Sequence, residues 1–291
     1  MRGSKLTILT TWTPQHLADA TMWAAGYSGS KLLEDIRAQE AADATALVEK
    51  AARRARIRYP DLDVHTVALE GDARQTLVEY GRDASLLVVG SRGSGPIASV
   101  MLGSVAFWLT RHAETPLAVV PTDARPVADP TRPRGVVAGV SLDPLSAKVV
   151  AAAAQEAEER HCDLVLAHCA WDGDASRHGW ERVTEADLDS LGVDIVEDLT
   201  RATKRSFPHL SIRHRFARGS ADRFLADLGA LHEILVIGRR HSSPLDLVGV
   251  GSVATAVFHD ARSVVLVVPL THADDAALRA EGRACLPVQV G

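Results

Sequence analysis

Cysteine is scarce in this chain: three thiols in 291 residues build no disulfide framework, and the odd number leaves at least one unpaired. Reduced thiols are the expectation. Cations are not in excess either, with 32 Lys and Arg against 37 Asp and Glu and a net charge of −5. A groove for a phosphate backbone or a membrane-surface patch therefore has no support in composition. Long apolar runs are also missing. The longest, 264–270, suits a buried strand and falls far short of the ~20 residues of a spanning helix. Arg2 and Lys5 precede only Leu6-Thr7-Ile8-Leu9, too short and too polar for a signal-peptide core. The expected compartment is the cytoplasm, with neither nucleic acid nor membrane as partner.

Catalytic signatures are equally sparse. There is no Gly-x4-Gly-Lys-Ser/Thr for a Walker-type ATPase and no Gly-x-Ser-x-Gly nucleophile elbow. Gly249-Val250-Gly251-Ser252-Val253-Ala254 mimics a dinucleotide fingerprint, but about a dozen residues separate it from the preceding strand, where the fingerprint needs an immediate turn. His161-Cys162 and His168-Cys169 fall along one apparent strand, which spaces the pairs ~20 Å apart, too far for a shared metal. Asp143 precedes Pro144 as a helix N-cap does, and His112 sits near a helix end, where imidazolium favours the dipole. No nucleophile and base pair stands out, and no catalytic or metal-binding residue is assigned.

What is present is an ordinary globular composition, 46% hydrophobic and 24% charged, at a length that suits two domains. The chain also repeats itself. Residues 71–121 lie over 219–269 without a gap, and 19 of the 51 positions are identical, among them Gly71/Gly219, Gly90/Gly238, Arg92/Arg240, Gly103/Gly251 and Ser104/Ser252. The repeat divides the chain into a first copy at 1–121, a Pro-rich linker at 122–134, a second copy at 135–270 and a tail at 271–291.

Short, nearly continuous apolar runs such as Leu86-Leu87-Val88-Val89 and Ile234-Leu235-Val236-Ile237 read as strands buried on both faces of a parallel sheet. Between them lie amphipathic stretches; Leu188, Leu191, Ile195, Leu199 and Ala202 line one helical face. The second copy reads as strands 135–140, 163–169, 211–216, 233–237 and 263–268, with helices 144–160, 184–206, 221–228 and 251–260. Alternating strands and helices make each copy an α/β sandwich. The first copy begins at the counterpart of the second strand, so one strand and one helix are missing.

The informative segment follows the fourth strand. In the first copy it reads Gly90-Ser91-Arg92-Gly93, nine residues, then Gly103-Ser104-Val105 opening a helix. Glycines let the main chain approach a ligand closely, and a helix start attracts an anion through free N–H groups and the dipole. Ser104 is expected to add a hydroxyl as N-cap. Such a turn can cradle phosphates; shaping a long loop is the plainer use of the same glycines.

Gly-x2-Gly-x9-Gly-Ser after a Leu-Val-Val-Gly strand, followed by a helix and a strand ending Val-Val-Pro, resembles the universal stress protein family, here in tandem form. The resemblance covers nearly the whole chain. It implies five-stranded parallel sheets of order 3-2-1-4-5, of the adenine nucleotide alpha hydrolase-like kind, and dimer-like pairing through the last strands. It also implies ATP, with or without Mg2+, held by Gly90, Gly93, Gly103, Ser104 and the main chain at Val105.

The family's first strand ends in an acidic residue that helps hold the nucleoside. The first copy lacks that strand; the second has Ser141 in the acidic position and His241 in place of the second glycine. If that glycine position needs positive φ, His241 costs about 1–2 kcal/mol and the lost charged hydrogen bond at Ser141 about 1.5–3. Gly238, His241, Gly251, Ser252 and Ser141 thus form a degenerate site, about a hundredfold to a few thousandfold weaker unless Arg239, Arg240 and His241 reach phosphates as cations. The resulting expectation is a cytosolic stress-response module that binds ATP through the first copy and is not an enzyme, although slow ATP hydrolysis or phosphotransfer stays open. The alternative is a protein without ATP that acts on a structural or signalling partner through its dimer-like surface, within one chain as a pseudo-dimer or between two as a homodimer.

The absent strand is central in the implied order, so the first copy faces a gap between 6–11 and 86–89. Three resolutions are open: the flanking strands pair directly, another segment fills the slot, or the chain is the shortened product of a longer reading frame. Met1-Arg2-Gly3-Ser4-Lys5 reads like a helix end and exit turn and favours the last.

Overall fold

The computed structural model describes residues 5–13, 29–91, 102–122, 135–171, 180–184, 190–240, 257–258, 262–271 and 274. By internal contacts the chain forms two compact units, Met1–Tyr80 and Gly81–Gly291. This division concerns packing, whereas the boundary at 121 concerns the repeat.

The first unit holds β1 (Leu6–Trp12), α1 (Gly29–Arg58) and β2 (Val64–Glu70), and most of α2 (Ala73–Gly81). β1 and β2 run parallel from Leu6↔Val64 to Trp12↔Glu70. On α1, Ala44, Val48 and Ala52 recur every fourth residue and are buried, the spacing that brings one helical face onto a sheet. Polar contacts fasten the same helix to β2: Thr66 Oγ1 donates to Glu49 at 2.6 Å and Arg56 donates to the Val64 carbonyl at 2.8 Å.

The second unit contains β3 (Leu87–Gly90), α3 (Ser104–His112), β4 (Leu117–Val120), β5 (Gly135–Val140), α4 (Ser146–Arg160), β6 (Asp163–Ala170) and β7 (Trp180–Arg182). α5 (Ser190–Ser206), β8 (Ile212–Gly219), α6 (Ala221–Leu231), β9 (Ile234–Arg240) and β10 (Val264–Leu270) complete it. Its eight strands form one sheet in the order β3-β4-β10-β9-β5-β6-β8-β7. Within it, β8-β6-β5-β9-β10 is the parallel order 3-2-1-4-5 of the second copy. Its core is apolar throughout, with Val136, Ala138, Ala153, Ala154, Leu164, Leu166 and Val236 fully enclosed.

The repeat is visible in the strand register. Leu87↔Leu117 through Gly90↔Val120 in the first copy becomes Leu235↔Val265 through Gly238↔Val268 in the second. The last strands of the two copies then pair antiparallel, Leu117↔Val267, Ala118↔Leu266 and Val119↔Val265. Exchanging the copies turns Leu117↔Val267 into Val265↔Val119, Ala118 faces its own repeat-equivalent Leu266, and a pseudo-twofold axis passes between these two. The identity Gly71/Gly219 also has a conformational cause: both glycines, just past β2 and at the end of β8, take positive φ, 150° and 119°.

Among the described residues the strands of the first copy fall into two sheets. In the second copy β5 separates β6 from β9; in the first, β1 pairs only with β2 and β3 only with β4 among the described residues. Direct pairing of β1 with β3, one of the three open resolutions, does not occur. The cost shows in burial: Val88 is 58% exposed where its repeat-equivalent Val236 is 0%. Likewise Leu6 is 37% exposed, whereas Leu164, at the same register position of β6, is 0%.

Other expectations need adjustment. α5 turns a different face inward, with Val196 and Thr203 buried, Ile195 and Leu199 partly so, and Ala202 exposed. Thr203 is tolerated because its hydroxyl donates to the Leu199 carbonyl at 2.7 Å. Thr184, read as the helix start, is not helical, and three residues before it form β7, antiparallel to β8. Most of the helix read at 251–260, and nearly all of the tail, lie outside the described residues.

Equivalent strand positions with opposite burial give a direct test. Val236→Thr buries a hydroxyl and should cost about 1–3 kcal/mol, whereas Val88→Thr should cost about 0.5 or less. Urea unfolding of the two variants checks this; equal losses would show that β3 is covered.

Candidate functional site

In open α/β sheets ligands bind outside the carboxyl ends of the strands. In the first copy that position is the end of β3. Gly90 is its last residue and Ser91 pins the exit: its N–H donates to the Val120 carbonyl at 2.8 Å and its Oγ accepts the Thr122 N–H at 3.2 Å. Across the loop, the Gly103 N–H donates to the Ser91 carbonyl at 2.7 Å. The two ends of the glycine loop are therefore tied by one main-chain bond, and Gly93 between them lies outside the described residues.

α3 starts at this tie. Its N-cap is Gly103, with φ −57° and ψ 147°, and Ser104 is the first helical residue. This corrects the expectation for Ser104: the cap position belongs to Gly103, and Ser104 lies one residue inside the helix. The first intrahelical bond runs from Phe107 N–H to Gly103 C=O at 2.8 Å. The amides of Ser104, Val105 and Ala106 precede it and have no acceptor within the helix, the arrangement that suits a phosphate oxygen. At the other end, His112 Nδ1 bonds the Trp108 carbonyl at 2.9 Å while its ring stacks on Trp108 at 3.7 Å.

At the corresponding end of the second copy the described polar side chains bond to one another and to the main chain. Ser141 follows β5, and its hydroxyl and that of Ser146 are 3.1 Å apart; Ser146 Oγ also donates to the Ser141 carbonyl at 3.0 Å. Asp143 caps the turn into α4 by accepting the Leu145 N–H at 2.9 Å, as its place before Pro144 suggests. Its other oxygen accepts from Arg240 Nε, so an ion pair links the segment after β5 to the end of β9, across the point where the strand order reverses. Lys148 donates to the Pro269 carbonyl at 3.0 Å and to Asp274 at 2.9 Å.

The alternative in which Arg239 and Arg240 reach phosphates meets three existing hydrogen bonds. Arg240 holds Asp143, and Arg239 donates to the Arg111 and Ala113 carbonyls at the end of α3. Gly238 has a packing reason to be glycine: a Cβ there would come within 2.9 Å of Val149 Cγ2 and 3.0 Å of Leu270 Cδ1. His241, Gly251 and Ser252 lie outside the described residues.

Burial opposes charge on Asp143, but the Arg240 hydrogen bond and the Leu145 N–H outweigh it and hold the carboxyl below its ordinary range. Asp274 is lowered in the same way against its own burial, chiefly by Lys148. Burial, with Asp222 nearby, pushes the Cys169 thiol up to about 11, so it is protonated at neutral pH and is a poor nucleophile. His168 is buried, and its Nδ1 donates to the Val140 carbonyl at 3.0 Å, joining the ends of β6 and β5.

Because the Asp143 carboxyl is held down in the folded state, its contribution is present above the unfolded value of ~3.9 and disappears as pH falls through the folded one. Arg240 is half exposed, so screening limits the pair to about 0.5–1 kcal/mol. Arg240→Met should lose that amount above about pH 5 and converge on the wild type as pH falls through the folded-state value, by denaturant midpoints across the range. A difference that persists unchanged into acid would show that the pair contributes nothing.

Comparison with known proteins agrees with this architecture. The model of the universal stress protein family matches residues 1–121. A universal stress protein of Mycobacterium tuberculosis H37Rv is 29% identical over 203 residues, 68% of this chain and 63% of that protein, so the match spans under two thirds of its length. A second one from the same strain is 30% identical over 225 residues, 77% of this chain and 73% of that protein. Among solved structures, a universal stress protein of Archaeoglobus fulgidus aligns with TM-score 0.58 at 16% identity, over 91% of this chain and 88% of its own. A functionally unknown protein of Pseudomonas aeruginosa PAO1 aligns with TM-score 0.55 at 16% identity, over 96% of this chain and 97% of its own. Two copies of one α/β fold joined through their last strands, a glycine loop after the fourth strand, and relatives of this coverage lead to one conclusion: the chain belongs to the universal stress protein family.

Proposed function

We propose that this chain is a stress-response regulatory module that binds ATP, with or without Mg2+, through the first copy, and that the second copy is its scaffold. The observation that carries the reading is the tied glycine loop: Gly103 N–H is fixed to Ser91 C=O while the next three amides stand before the first intrahelical bond. Gly90, Gly93, Gly103, Ser104 and the Val105 main chain are the ligand contacts of this reading.

The second copy contributes little to binding in this reading. Asp143, the carboxylate nearest its first strand's end, is held by Arg240, and a ligand there must first break that pair. Nor is a free last-strand edge left for a homodimer of the usual kind, since β4 lies between β3 and β10, and β10 between β4 and β9. No helix of the described residues is long and apolar enough to cross a membrane, in keeping with the cytoplasmic placement proposed here.

In this reading the contacts of the first copy are glycines, main-chain amides at a helix start and one hydroxyl, which grip phosphates rather than a base. ATP and GTP should therefore bind with similar affinity, and AMP much more weakly. Gly93→His imports the second copy's residue and should weaken ATP about fivefold to thirtyfold, the equivalent of roughly 1–2 kcal/mol. Equilibrium dialysis with labelled nucleotide measures both effects. Unchanged affinity in Gly93→His would remove the site assignment.

A further inference from the structure

At the residue after the fourth-strand glycine the two copies diverge: Ser91 in the first, Arg239 in the second. Among the described residues Ser91 bonds to Val120 and Gly103 of its own copy and to Thr122 at the start of the linker. Arg239 leaves its copy. Its Nη1 donates to the Arg111 carbonyl at 2.8 Å and its Nη2 to the Ala113 carbonyl. These are the last turn and the C-cap of α3, the helix whose other end carries the amides of the candidate site.

The carbonyls of a helix's last turn have no intrahelical donor and form the negative end of its dipole. A guanidinium fork on two of them is a charge-assisted, two-point contact that a single point charge cannot reproduce. Other charges surround it. Burial lowers the guanidinium's proton affinity and the Glu114 carboxylate, itself paired with Arg82 at 3.6 Å, opposes that. The like charge of Arg111 is directed over the Phe107 ring, 5.5 Å from its centre. α3 has nine residues, about 14 Å of stiff rod, so fixing one end fixes the direction of the other.

We propose that Arg239 is a positioning residue for the first copy's ligand site: the second copy's equivalent of the ligand loop serves as a clamp that sets the angle of α3 from across the pseudo-twofold axis. The proposal rests on the first copy being the nucleotide site. Nucleotide affinity in one copy then depends on a residue of the other, and by linkage a bound nucleotide tightens the clamp.

The test uses the full chain as wild type, Arg239→Met, which keeps an apolar stem but loses the fork, and Arg239→Lys, which restores one donor. Hydrogen exchange read by mass spectrometry over 107–113, with 135–170 as internal reference, is paired with equilibrium dialysis of ATP. The clamp predicts exchange over 107–113 at least tenfold faster in the Met variant with 135–170 unchanged, ATP at least threefold weaker, and the Lys variant intermediate in both. Exchange over 107–113 equal to wild type, or ATP affinity unaltered despite faster exchange, overturns the proposal. Faster exchange across 135–170 as well would identify a general loss of structure and also overturns it. A wild type that binds no ATP removes the nucleotide reading and the ligand half of this proposal, while the exchange result still decides whether Arg239 clamps α3.

Discussion

The antiparallel ladder between β4 and β10 is the join on which the rest of the structure depends. Three residue pairs make it, and Leu117, Val119, Val265, Leu266 and Val267 are buried within it. Fully burying each such side chain contributes about 1.5–3 kcal/mol relative to exposure, so this short ladder outweighs the peripheral ion pairs, worth ~1 kcal/mol or less each. It also fixes symmetry. With Ala118 facing Leu266, the pairs of this ladder are related by one axis, and α3 of the first copy reaches the fourth-strand end of the second, where Arg239 meets it.

From that ladder outward the two copies follow different courses. The second keeps its first strand, and β5 inserts between β9 and β6 to complete a sheet whose central residues are fully enclosed. The first has no such strand, and β3 ends the eight-stranded sheet with Val88 open to solvent. Packing divides the chain at Tyr80, inside the repeat, and among the described residues β1 pairs with β2 while β3 pairs with β4. The polar residues follow the same division. At the complete copy's strand ends, Ser141, Asp143 and Lys148 have internal partners; at the incomplete one, main-chain amides and glycines dominate.

Much of this was legible in the sequence because it is local or periodic. The runs around Val88 and Val236 marked strands, the shift between copies carried the register unchanged into the sheet, and the resemblance supplied the strand order that the second copy shows. Less legible was whatever depends on distant partners. Ala202 fits the helical period of α5 yet is exposed, because the neighbouring elements decide which face is covered, and Thr203 becomes acceptable inside through a bond to its own helix. Trp180 to Arg182 gave no strand signal since β7 is a three-residue edge held by β8. Ser104 resembled a cap, but the preceding glycine already takes the extended cap geometry. Arg239 finds its acceptors more than 120 residues away; its one trace in the sequence is the exchange of a small Ser for Arg at equivalent positions.

The account's central claim is a division of labour, in which the incomplete copy holds the ligand and the complete copy holds the fold. Hydrogen exchange of the wild-type chain with and without saturating ATP tests it directly, by comparing 90–107 with the equivalent 238–255. Slowed exchange confined to 90–107 is the predicted result. Slowing confined to 238–255, or equal slowing in both, would contradict it.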